Sequence, residues 1–251
     1  MTTNVLGVSV QLCRPNTNLV VMLADVSQNN KDQPVDSTDI QREADNLCQC
    51  VSSALFSHCL SQLTDNQCST AHYFRLQPFD RFPILKRSLQ PVSFATLRRL
   101  QLHYTDGDVG RMQRLVMDFC VDQFSWHGSL GVVVDLSDMD ELADVSPTFM
   151  ACLAELASRL TARRKSTMDA ETNNTDYTQL PIGGGGGNPA PVILVLPSKF
   201  ARFTHLFTDL KVLVQSDRQN SMQLVLPGSD REQAGVNLMF HDKHYFEIVH
   251  S

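Results

Sequence analysis

Residues 129–144 read SLGVVVDLSDMDELAD. Gly131 to Val134 are small or apolar and run into Asp135, with more acids at Asp138, Asp140 and Glu141. A short apolar run bounded by polar residues predicts a buried strand that ends in a carboxylate. Moving outward, Val109, Met112, Leu115, Val116, Phe119 and Cys120 predict one face of a helix over roughly 106–124 before it. Phe149, Leu153, Leu156 and Leu160 predict a helix after it, which ends in the basic run Arg163, Arg164, Lys165. NLVVMLAD (18–25), AHYFRL (71–76), RRLQLHY (98–104) and PVILVLP (191–197) predict further strands. A helix begins near Thr38 or Asp39, with Gln41 as a capping-box partner, and Leu47, Val51, Ala54, Leu55 and Cys59 form its apolar face. A short helix is expected near 200–209, and KVLVQSD, SMQLVLPG and VNLMFHDKHYFEIV predict closing strands with a hairpin around His241 to His244. Strands that alternate with helices and then give way to strand alone predict an α/β domain. Its sheet is largely parallel, with antiparallel C-terminal strands.

The 251 residues suit one domain, 1–251, with one insertion. STMDAETNNTDYTQLPIGGGGGNPA (166–190) is polar, holds five consecutive glycines and has no period, so it predicts a flexible surface insertion. A net charge of -6 gives no global basic field, so nucleic acid has to be met by local patches. No stretch approaches the roughly 18 apolar residues of a membrane span, so no membrane is expected among the partners. The first residues lack a basic region, an apolar core and a small-residue cleavage site, which argues against secretion. Seven cysteines, an odd number without framework spacing, predict reduced thiols in an intracellular protein.

The strand closed by Asp135 has the form of a Walker B strand, whose carboxylate sits near the Mg²⁺ of a nucleotide. Such a strand works with a G-x-x-x-x-G-K-[ST] loop, in which glycines let backbone N–H groups wrap the phosphates. The place for that loop is between NLVVMLAD and the first helix, and residues 26–37 hold no glycine. No Gly-Lys dipeptide occurs in the chain, and the glycine run 183–187 precedes a strand instead of following one. Three readings of Asp135 stand: an acid that ends a buried strand and caps the next turn, a vestigial Walker B carboxylate, or part of a working ATPase.

Asp135, Asp138, Asp140 and Asp144 lack the EF-hand spacing and its central glycine, so a solvated acidic loop is weighed against a metal site. Cys48, Cys50, Cys59 and Cys68 lie near His58, but C-x-C on a helix points its two thiols in different directions. No G-x-S-x-G is present, and His72, His103 and His244 have no nucleophile motif beside them. No catalytic residue and no metal ligand is assigned. Arg159, Arg163, Arg164 and Lys165 precede the insertion, while Lys199, Arg202, His205 and Lys211 follow a strand, interleaved with Phe200, Phe203 and Phe207. Cations among aromatics are what single-strand binding uses, against the alternative of core phenylalanines beside a solvated charged face.

This order of elements resembles a RecA-like ATPase core. More narrowly, the chain resembles the RecA-like recombinase paralogue that partners a SWIM-domain zinc protein in the metazoan Shu complex. The family's P-[FL]-x-x-[FLM]-P element is matched by Pro78 to Pro83 and its L-x-x-[IL]-x-[FL]-x-Y strand by Leu97 to Tyr104. Its Walker B-like strand is matched by Val132 to Leu142, and the resemblance covers roughly residues 18–249. It implies a nuclear, non-catalytic subunit of a hetero-oligomer that binds the SWIM-domain protein, recombinase paralogues and single-stranded DNA in homologous recombination repair. DNA is expected at Arg163, Arg164, Lys165, Lys199 and Arg202, with Asp135 as a vestigial Walker B acid. Some members carry a Walker A. This chain departs from them there, so ATP binding is unsupported and no cofactor is expected. Two alternatives remain open. One is an Elongator-type tRNA-modification subunit, whose closing strand carries a similar Asp-Lys…Phe pattern, compared with Asp242 to Phe246 here. The other is an ATPase or metal-dependent enzyme using the Asp135 cluster.

Overall fold

A computed structural model describes residues 2–5, 8–11, 19–25, 37–65, 68–79, 84–85, 92–123, 129–140, 142–173, 192–200, 204, 206–208, 211–217, 221–225, 235–242 and 245–250. In 2–11, 25, 37–46, 84–85, 163–173 and 211–250 it describes the backbone alone. Strands β1 (Thr2–Val5) and β2 (Val8–Gln11) pair antiparallel with each other. Then come β3 (Leu19–Asp25), α1 (Ser37–Thr64), β4 (Thr70–Arg75), β5 (Ile84–Leu85), α2 (Phe94–Leu97), β6 (Leu100–Tyr104) and α3 (Val109–Asp122). The chain continues through β7 (Leu130–Asp135), α4 (Pro147–Asn173), β8 (Val192–Pro197), a 3-10 turn at Ser198–Phe200, β9 (Lys211–Asp217), β10 (Ser221–Val225), β11 (Gly235–Asp242) and β12 (Tyr245–His250).

The α/β class and the parallel central sheet are as expected. Five strands in the order β3-β8-β7-β4-β6 run parallel, with helices on both faces, an arrangement compatible with a RecA-like core. On the other side of β3 the backbone continues through β9, parallel to β3, and then through β10, β11 and β12, each antiparallel to the one before. The two-residue β5 closes that end against β12.

Period-2 alternation explains why β3 and β8 read as unbroken apolar runs. Val20, Met22 and Ala24 of β3 pack with Leu47, Val51, Ala54, Leu55 and Cys59 of α1. Leu19, Val21 and Leu23 face the other way, onto Met112, Val116 and Cys120 of α3 and Phe149, Leu153 and Leu156 of α4. A parallel strand buried on both faces has no polar side to show. The connection from β3 to β4 carries α1 over one face. The connections into β7 and β8 run back across the sheet and carry α3 and α4 over the other, as right-handed crossovers require.

One boundary differs from expectation. Helix α4 continues past the basic run to Asn173. Nothing between Arg163 and Asn173 stops a helix; the next proline is Pro181 and the next glycine Gly183. Residues 166–173 are therefore helical, and 174–190 lie outside the described residues. Of the helix expected near 200–209, the described residues are Phe200, at the end of the 3-10 turn, and Thr204 and 206–208, where Thr208 N donates to Thr204 O one helical turn back. The described part of the hairpin expected around His241 to His244 is the Asp242–Tyr245 pair that closes β11 on β12. The side chains of the Thr38–Gln41 capping box lie outside the described residues.

Two turns need their residues. Between β6 and α3, Gly107 has φ +87° and Asp106 φ 51°, and Gly107 N donates to Leu76 O at 3.0 Å. Asp108 caps α3 by accepting from Arg111 N at 2.8 Å. Gly131, inside β7, lets α1 come close: a Cβ there would stand 2.9 Å from Gln62 Oε1 and 3.3 Å from Cys68 Sγ. Gln62 is itself held, with Nε2 2.9 Å from His58 Nε2. The substitution Gly131→Val is therefore expected to overpack this close approach and lower stability by about 1–3 kcal/mol, read as a lower urea midpoint at unchanged slope.

Candidate functional site at the carboxyl ends of β4 and β7

Arg75 and Asp135 are register partners at the carboxyl ends of β4 and β7. The chain leaves these neighbours in opposite directions, β4 outward towards β6 and β7 inward towards β8. Such a reversal opens a crevice beyond the strand ends, where ligands of α/β sheets bind. Alternation turns Tyr73, Arg75, Val133 and Asp135 towards α1, which brings Ser52 to the same place.

Asp135 is fully buried. Its Oδ2 accepts from Ser52 Oγ at 2.5 Å and from Tyr73 OH at 2.9 Å. Its Oδ1 accepts from Ser137 Oγ at 2.7 Å and from Ser137 N at 3.2 Å. A carboxylate offers about four lone-pair positions, and all are taken by this chain's own donors. Tyr73 also donates to Ser52 O at 3.2 Å, and Cys48 Sγ to Ser137 O at 3.2 Å, so α1, β4 and the turn after β7 are tied at one point. Burial, and after it the neighbouring Asp135 charge, holds the Tyr73 hydroxyl well above its usual range, so its proton stays available to donate.

Arg75 supplies the opposing charge. Its side chain is only 9% exposed, with Nε 3.8 Å from Asp135 Oδ2 and an outer nitrogen 4.0 Å from Asp138 Oδ2. Another nitrogen donates to Pro78 O at 3.2 Å, and the guanidinium carbon stands 4.5 Å from the Phe79 ring centroid. Nε makes no hydrogen bond, because hydroxyls already fill both positions on Asp135 Oδ2. Asp138, one turn beyond, is pushed up to about 6 by burial and then by the Asp135 charge, with Arg75 pulling the other way.

The segment after β7 is held at several points. Gln113 of α3 donates to Asp144 O at 2.7 Å and accepts from Ser146 N at 2.8 Å. Lys199 Nζ donates to Asp140 O at 3.3 Å and lies 5.1 Å from the Phe200 ring centroid. Of the three readings of Asp135, the geometry fits the acid that ends a buried strand and binds the next turn. The wider acidic cluster is not drawn together: Asp140 Oδ1 accepts from its own loop at Leu142 N, at 2.9 Å. Among the described residues no group of three or more His, Cys, Asp or Glu is arranged to hold a metal ion. Asp25 ends β3, and its side chain lies outside the described residues.

The expected nucleic-acid patch is split by the backbone. Helix α4 starts at the carboxyl end of β7 and returns to the amino end of β8. At 1.5 Å per residue, Arg163, Arg164 and Lys165 lie about 24 Å down the helix from its start, towards the end of the sheet opposite Lys199. The side chains of these three, and all of Arg202, lie outside the described residues. Lys199 is exposed. Phe200 and Phe207 are half-buried and pack against the core. No helix among the described residues is long and apolar enough to cross a membrane.

Ser52, Tyr73, Arg75 and Ser137 carry no motif that marks them in the sequence. One signal was present: Arg75 closes the otherwise buried strand AHYFRL, and a cation in such a place needs a buried acid. Replacement of Asp135 by Ala takes a buried acceptor from three hydroxyls and the nearer of two carboxylates from Arg75. It is expected to destabilise the fold by about 3–5 kcal/mol, whereas Ser52→Ala removes one bond and about 1 kcal/mol; thermal melts check both.

The histidines set a pH dependence. His58 and His72 are pushed down to about 4 by burial, and for His72 also by His103, 3.1 Å away from Nδ1 to Nε2. His103 is lowered by burial as well. Unfolded, each takes its proton near 6.5, so between pH 6.5 and 4 the unfolded chain binds more protons and stability falls as the pH drops. Asp138 acts in the opposite sense below pH 6, and one carboxyl is outweighed by the histidines. Denaturant midpoints should fall from pH 7 to 4, less steeply in His72→Phe and more steeply in Asp138→Asn. No protein-family model matches the chain, and no curated protein is significantly similar to it.

Proposed function

We propose that the chain is a non-catalytic RecA-like subunit of a Shu-type complex. In this reading it supports homologous recombination repair in the nucleus by binding a SWIM-domain zinc protein, recombinase paralogues and single-stranded DNA. The observation that carries the non-catalytic part is the saturation of Asp135: Ser52, Tyr73 and Ser137 take every lone-pair position a Mg²⁺ ion would need. The glycine-free segment 26–37, where a phosphate loop belongs, agrees with it. The parallel sheet supports the RecA-like part, and the short motifs at 78–83, 97–104 and 132–142 support the family. With no chemistry at the strand ends, the chain acts through its surfaces.

Calorimetric titration with ATP and Mg²⁺ is expected to give no binding heat; saturable heat removes the non-catalytic reading. Mass spectrometry of proteins that co-purify with the tagged chain is expected to find a SWIM-domain protein with recombinase paralogues. Recovery of Elongator subunits instead moves the chain to tRNA modification. Charge reversal at Arg163, Arg164 and Lys165 as one set, and at Lys199 and Arg202 as another, separates the two ends of the sheet. The set that touches DNA is expected to weaken single-strand binding and to flatten its salt dependence by about 0.7 in log–log slope for each phosphate no longer neutralised.

A further inference from the structure

The charge of this chain is unevenly distributed. Residues 81–105 carry Arg81, Lys86, Arg87, Arg98 and Arg99 and not one Asp or Glu, in a chain with 27 acids against 21 Lys and Arg. Helix α2 lies in this segment, immediately before the edge strand β6. Phe94 is 70% exposed, and the guanidinium carbon of Arg98 stands 4.7 Å from its ring centroid. Leu97 beside them is 42% exposed.

The backbone that carries this exposed ring is well tied. Ser93 caps the turn: its Oγ accepts from Thr96 N at 3.1 Å and lies 2.9 Å from Thr96 Oγ1. Leu97 N donates to Ser93 O, and Arg98 N to Phe94 O, both at 3.1 Å. Directly after the turn, Arg99 Nε donates to Ser69 O at 2.8 Å, and a second guanidinium nitrogen donates to Cys68 O. The guanidinium of Arg98 lies over the Phe94 ring at a cation–π distance. An exposed ring on a tied turn, with a planar cation over it and in an acid-free stretch of chain, offers what single-stranded nucleic acid needs: a π-face for a base and a positive charge for the adjoining phosphate.

We propose that Phe94 and Arg98 form a stacking platform for single-stranded DNA, separate from the cations of α4 and of the turn after β8. The proposal rests on the DNA-binding part of the function given above. One base stacks on the Phe94–Arg98 pair, and Arg98 neutralises a neighbouring phosphate.

The test is fluorescence anisotropy of a labelled oligo-dT strand with the full chain, over a series of salt concentrations, for wild type, Phe94→Ala, Phe94→Tyr and Arg98→Ala. Phe94→Ala is expected to weaken binding about five- to hundredfold, and Phe94→Tyr to bind as wild type does. Arg98→Ala is expected to lower the salt slope by about 0.7. Circular dichroism melts should be unchanged, since neither side chain is buried; should Phe94→Ala unfold, the Arg98→Ala slope decides. If the wild type does not bind the strand, this proposal and the DNA-binding reading fall together. If it binds and both alanine variants bind equally well, this proposal alone falls. Tighter binding of an oligo-U strand than of oligo-dT overturns the assignment to DNA. DNA binding kept while co-purifying proteins disappear assigns the surface to a protein partner instead.

Discussion

One buried carboxylate organises the carboxyl end of the sheet. Asp135 is a fully buried carboxyl group, so its oxygens need partners from within the chain. It gets them from three different parts of the chain: Ser52 on α1, Tyr73 on β4 and Ser137 in the following turn. Those bonds fix how α1 lies on the sheet and where the segment after β7 leaves it. Arg75 completes the group by supplying positive charge within 3.8 Å. A half-satisfied network of this kind is worse than an apolar core; here both oxygens of Asp135 are filled, and Arg75 Nε is left without a hydrogen bond.

The same saturation gives the functional reading its direction. A Walker B carboxylate must leave a lone pair for the metal's water shell, and in this chain hydroxyls occupy those positions. Arg75, at the end of the neighbouring strand, adds a fixed cation on the side where a nucleotide would bring a mobile one. The carboxyl ends of β4 and β7 are held by partners from within the chain. Charge is uneven along the chain: acids crowd the segment after β7, while the stretch leading into the edge strand β6 has none.

Elements with a strong period were legible in advance. The apolar runs of β3, β7 and β8 and the stripes of α1, α3 and α4 follow from period 2 and period 3.6, and the residues named from those periods are in the core. The length of α4 was not legible, because a change in polarity after Lys165 looked like the end of a helix whose backbone continues to Asn173. Helix α2, of four residues, is too short to leave a period at all.

By itself, the sequence determined the α/β class, the parallel core strands, the missing phosphate loop and the importance of Asp135. These depend on local pattern or on the presence of a residue type, both of which can be read along a line. Only the tertiary structure decided what Asp135 does, because its partners stand 83, 62 and two positions away and no spacing rule links them. It also decided that the cations of α4 and Lys199 lie towards opposite ends of the sheet, since a helix that connects parallel strands must return the chain to the far edge. Adjacency in sequence becomes separation in space wherever such a crossover intervenes.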